Sequence, residues 1–266
     1  MRLREKLWLW GQDAGTHHAY HGNEWKLPGV NRMGPAESAR DLGLVNCCRV
    51  VMSNRPLPPF DAESEKLKDL HRVVWSIVGD GSSVRNNAGA TDLEEVIRQA
   101  RLFPNVCGGI FDDFFVDNAQ PRVSLDQLKE TKRRLADNEV RPLDLWVVYY
   151  QRQLAQDYRA YLDVCDVITL WTWRGSDLPK IDENVAKLCR ITPGKRRLAG
   201  CYLWNYGESR PMTAGQMEYQ CARYLDGIRS GDLDGIVFCA STLTDIGLES
   251  VEWLRGWIRE VGDLDV

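Results

Sequence analysis

Asp112 and Asp113 stand side by side at the end of an apolar run, Val106 to Phe111, and Phe114 and Phe115 follow them. Taking a carboxylate out of water is costly unless it is paired or hydrogen-bonded. Two acids among apolar residues therefore mark either a structural ion network or a place where protons are moved. Successive strand residues point to opposite faces, so the two are expected to diverge. One should face the interior, and the other should anchor a loop or a helix N-terminus. Asp113, further toward the rim, is taken as the functional acid, with Asp112 as the alternative.

Aromatic residues form the second chemical signal. Seven of the ten tryptophans (Trp8, Trp10, Trp75, Trp146, Trp171, Trp173 and Trp204) fall in strand-like runs. A flat ring with a polar tip suits a ligand with C–H faces and hydroxyl edges, which describes a sugar. Core filling is the ordinary use of any single tryptophan. Trp10, Trp173, Trp204 and Tyr206 are expected to stack on a ligand. Arg174, Gln151 and Asn205 are expected to bond its hydroxyls, and Gln12, Asp13, His18, Asp80, Tyr150 and Asp245 complete the expected binding set. Trp253 and Trp257, one turn apart, read as helix packing.

Three of the four histidines sit in Thr16-His17-His18-Ala19-Tyr20-His21. With Asp13, Glu24 or Asp113 they offer a possible metal-ligand set. The fourth, His71, precedes a strand and lies at the wrong end to join them. The reading is therefore no metal and no cofactor, with the loop supplying a sugar contact, an acid/base group or a solvated lid. A metal-dependent hydrolase or isomerase built on His17, His18 and His21 is the competing reading.

These residues need elements to bring them together. Strand-like runs, each followed by a helix-periodic segment, recur eight times. The strands are Lys6–Gly11, Asn46–Ser53, Arg72–Val78, Val106–Phe111, Leu143–Tyr150, Val167–Trp173, Leu198–Trp204 and Gly235–Ala240. The helices are Pro35–Leu44, Asp61–Leu70, Thr91–Leu102, Ser124–Ala136, Gln153–Val164, Leu178–Cys189, Ala214–Arg229 and Leu248–Val261. Thr91 with Glu94 reads as a capping box. The strands lack clean polar alternation, as in a parallel sheet buried on both faces. Eight units in 266 residues predict one (β/α)8 barrel domain over 1–266, with its site at the ends of the strands. No Gly-x-Gly-x-x-Gly follows the first strand, against a dinucleotide-binding sheet.

That topology ranks the partners of the strand-four acids. Hydrolysis of a glycosidic bond uses two carboxyl groups, one as acid and one as nucleophile or base. Strand seven should lie across the mouth from strand four, so Glu208 is ranked first as the second carboxylate, ahead of Asp80 and Asp245. A surface-loop glutamate is the plainer reading of Glu208. No strand ends in lysine, against a Schiff-base aldolase. The turns after strands seven and eight are not Gly-rich, against a phosphorylated substrate.

Net charge is −4, which gives no electrostatic basis for binding nucleic acid or an anionic membrane. No apolar run approaches the roughly 18 residues of a membrane span. The N-terminus reads directly as a strand, without a secretory signal. The eight cysteines form no Cys-x-x-Cys pair and are expected to be reduced, mostly buried thiols in a cytoplasmic protein.

The eight units, the aromatic strand ends and Gly108-Gly109-Ile110-Phe111-Asp112-Asp113-Phe114-Phe115 resemble the broad superfamily of barrel glycoside hydrolases. The Asp-x-Asp-x-Glu pattern of the chitinase-like group and the Asn-Glu strand ending of the largest retaining clan are absent. The resemblance implies a carbohydrate-active enzyme acting on a small carbohydrate with two carboxylates. A sugar-binding barrel without catalysis is the alternative.

Overall fold

β-Branched and aromatic side chains favour pleated, extended backbone. Eight runs rich in them pair side by side in the computed structural model, which describes residues 1–115 and 121–266. The barrel strands are β1 Leu7–Gly11, β2 Asn46–Arg49, β3 Arg72–Val78, β4 Val106–Phe111, β5 Asp144–Tyr150, β6 Val167–Trp171, β7 Arg196–Tyr202 and β8 Gly235–Cys239. Neighbours pair in parallel in chain order, and β8 returns to pair with β1. The ring is closed, and at least one helix follows every strand. The fold is a (β/α)8 barrel, as the eight repeated units predict. Among the described residues no helix is long and apolar enough to cross a membrane, and all eight cysteines are free.

Several boundaries differ from the sequence reading, each for a local reason. β2 ends at Arg49 rather than Ser53; Met52 turns back to bridge with Arg55, and Ser53 and Asn54 between them take positive φ angles of 52° and 63°. The first long helix stops at Leu42, where Gly43 supplies a left-handed C-cap at φ 69°. The Thr91 capping box does not form. The helix begins at Leu93, with Asp92 before it, and the Asp92 carboxylate is taken by Arg85, while Glu94 reaches Arg134 instead. The expected helix Gln153–Val164 is a 3-10 segment, Gln151–Ala155, and one α-turn, Arg159–Leu162. Beyond β7, Trp204–Asn205 pairs antiparallel with Arg210–Pro211 instead of extending the barrel.

The interior is unusual for this architecture, where branched aliphatics dominate. Trp8 and Trp146 meet at 4.8 Å between ring centroids, and Trp10 and Trp171 meet edge to face at 5.1 Å. Rings this large fit because facing positions are empty. Trp171 pairs in register with Gly200, and a Cβ on Gly200 would lie 2.0 Å from the Trp171 ring. Gly200→Ala should therefore displace the indole and cost about 1–3 kcal/mol, the usual range for overpacking. Urea unfolding measures this; an unchanged midpoint would show that the ring is not confined.

Candidate functional site

Inward parity carries a defined set of side chains to the strand ends. There they surround a cavity of about 650 Å³. β1 contributes Trp10 and, one step on, Gln12. The segments after β2 and β3 contribute Met52 and Asp80. β4 leads into Asp112 and Asp113; β5 gives Val148 and Tyr150, followed by Gln151 and Arg152. β6 gives Trp171, followed by Trp173, Arg174 and Asp177; β7 gives Tyr202, followed by Tyr206; β8 gives Cys239. The loop after β1 closes the circle with His17, Tyr20, Glu24 and Trp25.

Both strand-four acids line this cavity, which corrects the expectation that they diverge. Asp112 continues the inward parity of Gly108 and Ile110. Asp113 should then point outward, but the strand has ended at Phe111 and Asp113 takes a left-handed φ of 43°. That turn brings its carboxylate back to the cavity while Phe114 and Phe115 go into the core. Asp113 Oδ1 accepts from the Tyr150 hydroxyl at 2.8 Å, and Oδ2 accepts from the Gly81 amide at 2.9 Å. Asp112 is 4% exposed. Its Oδ1 accepts from the Asp113 amide at 2.9 Å, and Oδ2 has no hydrogen-bond partner among the described residues.

Asp80 forms the third member of this acid wall. Its carboxylate accepts from the Ser82 and Ser83 hydroxyls, each at 2.8 Å from Oδ1, and from the Ser53 amide at 3.2 Å. Burial raises the proton affinity of Asp80, and the charge of Asp113 adds to it against the serine hydrogen bonds. Burial also raises Asp112 well above the ordinary carboxylate range, and the charges of Asp113 and Asp80 push it further. Arg122 sits behind the wall, where its Nη1 donates to the carbonyl oxygens of Gly79, Asp80 and Asp112. It clamps the ends of β3 and β4 together.

Aromatic rings form the opposite wall. Trp173 and Tyr206 stack at 5.5 Å with 25° between planes, and Tyr20 stacks on Trp25 at 4.4 Å. His17 ties the two groups together: Nδ1 lies 2.7 Å from the Tyr206 hydroxyl and 2.8 Å from the Thr242 hydroxyl. Burial, with His18 adding, lowers its pKa to about 3, so His17 is a neutral imidazole that holds a phenol.

The structure gathers ten of the sequence candidates: Asp112, Asp113, Trp10, Gln12, Asp80, Tyr150, Gln151, Trp173, Arg174 and Tyr206 all line the cavity. Six others do not. Glu208, the expected second carboxylate, turns to Arg210 in the short hairpin and accepts from the Ser176 amide at 3.1 Å. The Ser176 and Arg210 hydrogen bonds lower its pKa to about 2, the setting of a structural anion. Asp13 pairs with the fully buried Arg49, which also holds Glu63 at 2.9 Å. Asp245 accepts from the Asn31 side chain at 2.6 Å and from the amides of Arg32 and Met33 at 2.8 and 3.0 Å. It pins the loop after β1. The Trp204 indole donates to the Trp25 carbonyl at 3.1 Å and so supports a cavity ring from behind. Asn205 is fully buried beneath Gly175. His18 Nε2 donates to the Pro28 carbonyl at 3.0 Å. His21 lies against Glu24 at 3.1 Å, so the three loop histidines face three separate partners. Among the described residues no cluster of His, Cys, Asp and Glu suits a metal ion.

Strand parity carries a signal for Met52, Val148, Tyr202 and Cys239, which share faces with better-marked neighbours. Tyr20 and Asp177 lie in short 3-10 segments between strands, whose paths follow no strand periodicity.

No protein-family model and no curated protein matches the chain. Solved structures do. The catalytic domain of a hyperthermophilic chitinase from Pyrococcus furiosus superposes with a TM-score of 0.58 at 11% identity, covering 87% of this chain and 91% of that one. A putative α-L-fucosidase from Bacteroides thetaiotaomicron gives 0.53 at 9%, covering 86% and 88%. The tryptophan synthase complex from Pyrococcus furiosus gives 0.50 at 12%, covering 98% and 99%. At these identities the likeness shows the shared barrel alone.

His17 makes stability fall in acid. The unfolded chain takes up its proton near the ordinary value of 6.5, and the folded chain does so only near 3. Folding therefore loses stability as pH drops through that window. His17→Gln should flatten the dependence; parallel stability curves for wild type and variant from urea titrations at stepped pH would contradict this.

Proposed function

We propose that this barrel hydrolyses glycosidic bonds, with Asp112 as the proton donor and Asp113 as its ionised partner. The observation that carries the reading is one cavity holding two neighbouring carboxyl groups in unlike settings. Asp112 is pushed toward its protonated form by burial and two nearby acids, and one of its oxygens has no hydrogen-bond partner among the described residues. Asp113 receives a donor on each oxygen, as a carboxylate does. Groups whose environments separate them in this way can divide acid and base roles. The aromatic rings opposite offer flat surfaces to the C–H faces of a sugar.

In the reaction Asp112 gives its proton to the glycosidic oxygen as the bond to the anomeric carbon breaks. Asp113 stabilises the positive charge that develops on the sugar, and Tyr150 and the Gly81 amide hold it in place. Water supplies hydroxyl to the anomeric carbon and returns a proton to the acid pair. The chitinase and putative fucosidase structures share this fold, and so does tryptophan synthase, so the fold by itself does not choose. The acid pair is what supports the hydrolase reading here.

A panel of methyl and 4-nitrophenyl glycosides tests this. At least one should be turned over, and Asp112→Asn should lower the rate on methyl glycosides by about 10²–10⁴-fold, the usual share of general acid catalysis. The loss should be smaller on nitrophenyl glycosides, whose leaving group needs less protonation. No turnover across the panel, or wild-type rates in the variant, would refute it. Folding supplies the control. Wild-type Asp112 keeps a proton that the unfolded chain releases above its reference value of 3.8, so its burden on stability grows as pH rises toward the folded value. Asp112→Asn should therefore gain stability relative to wild type between acid and neutral pH.

A further inference from the structure

We propose that the glycoside accepted by this cavity is a hexosamine with a free, protonated amine, seated between Asp80 and the side-chain carbonyl of Gln12. This rests on reading the cavity as a carbohydrate site. Gln12 is 4% exposed and lines the cavity, and its Oε1 is buried without a hydrogen-bond partner among the described residues. Its Nε2 is spent on the Met52 sulfur at 3.2 Å, which fixes the carbonyl as the unsatisfied end. The next residue after Met52, Ser53, gives its amide to Asp80. The Gln12 amide and the Asp80 carboxyl therefore bond consecutive residues of one turn, and both residues line the cavity.

The charge distribution calls for the same ligand group. Asp80, Asp112 and Asp113 form no ion pair among the described residues, and Arg122 reaches only backbone carbonyls behind them. A buried acceptor without a donor costs roughly as much as a lost hydrogen bond, and burial without a counter-ion disfavours a carboxylate. An ammonium offers three donors, no acceptor and a positive charge. A hydroxyl brings lone pairs of its own and no charge. Pairing Asp80 with an ammonium also removes one of the two charges that hold the Asp112 proton, which strengthens that acid once substrate is seated.

The test is binding rather than turnover. D-glucose and D-galactose, with their 2-amino-2-deoxy and 2-acetamido-2-deoxy forms, are titrated into the full-length protein by calorimetry at about pH 6, below the range in which amines lose their proton. In one series the free amine should bind at least about tenfold more tightly than both its hydroxyl and acetamido counterparts, as a charge-assisted bond supplies. That preference should vanish in Asp80→Asn and shrink in Gln12→Met, the latter serving if the former does not fold. Equal affinities, no binding of either amine, a preference for acetamido sugars, or an amine preference that survives both substitutions would overturn the assignment. The two readings fail separately. Amine selectivity without hydrolysis leaves this inference standing and removes the hydrolase; hydrolysis of neutral glycosides without amine selectivity does the reverse.

Discussion

In a closed parallel barrel only alternate residues of each strand face inward, and that parity governs what the cavity contains. Trp8 and Trp10 share the inner face of β1, and Gln12 continues it at the rim. Trp146, Val148 and Tyr150 do the same for β5, and Gly200 and Tyr202 for β7. The inward indoles need room on a neighbouring strand, as Gly200 leaves for Trp171. The upper ends of the same faces deliver phenols and acids. Packing at the base and chemistry at the mouth are consecutive steps of one alternation.

The acid wall strains against this frame. Three carboxyl groups at the ends of β3 and β4 are buried or partly buried; burial, and after it their mutual repulsion, raises Asp112 and Asp80. The structure offsets that cost with short, local donors: three serines for Asp80, a phenol and a backbone amide for Asp113. Arg122 acts through carbonyl oxygens rather than the carboxylates. It holds the two strand ends in register and leaves the acids facing the cavity.

Several residues that look like ligand contacts in the sequence hold such contacts in place instead. Asp245 ties down the loop that carries His17, Tyr20 and Trp25, and Trp204 holds Trp25 by its carbonyl. His17, one of three histidines in a row suggestive of metal, is a neutral hydrogen-bond partner for Tyr206. Polar and aromatic residues near strand ends thus divide into a lining layer and a supporting layer. Residue type alone does not separate the two.

The amino-acid sequence by itself determined the barrel, the end at which the site lies and the importance of Asp112 and Asp113. Those follow from alternating apolar runs, helix periodicity and the cost of placing acids after an apolar strand, all of which are local along the chain. It also marked Trp10, Gln12, Asp80, Tyr150, Trp173 and Tyr206 as strand-end residues that reach the mouth. Only the tertiary structure decided that both acids share the cavity, because a single left-handed residue at Asp113 reverses the parity that a strand would impose. It alone turned Glu208 away to Arg210 and brought Tyr20 into the lining. Those outcomes depend on ion pairs and loop paths between residues far apart in the chain, and a one-dimensional pattern holds no record of which distant partner will win.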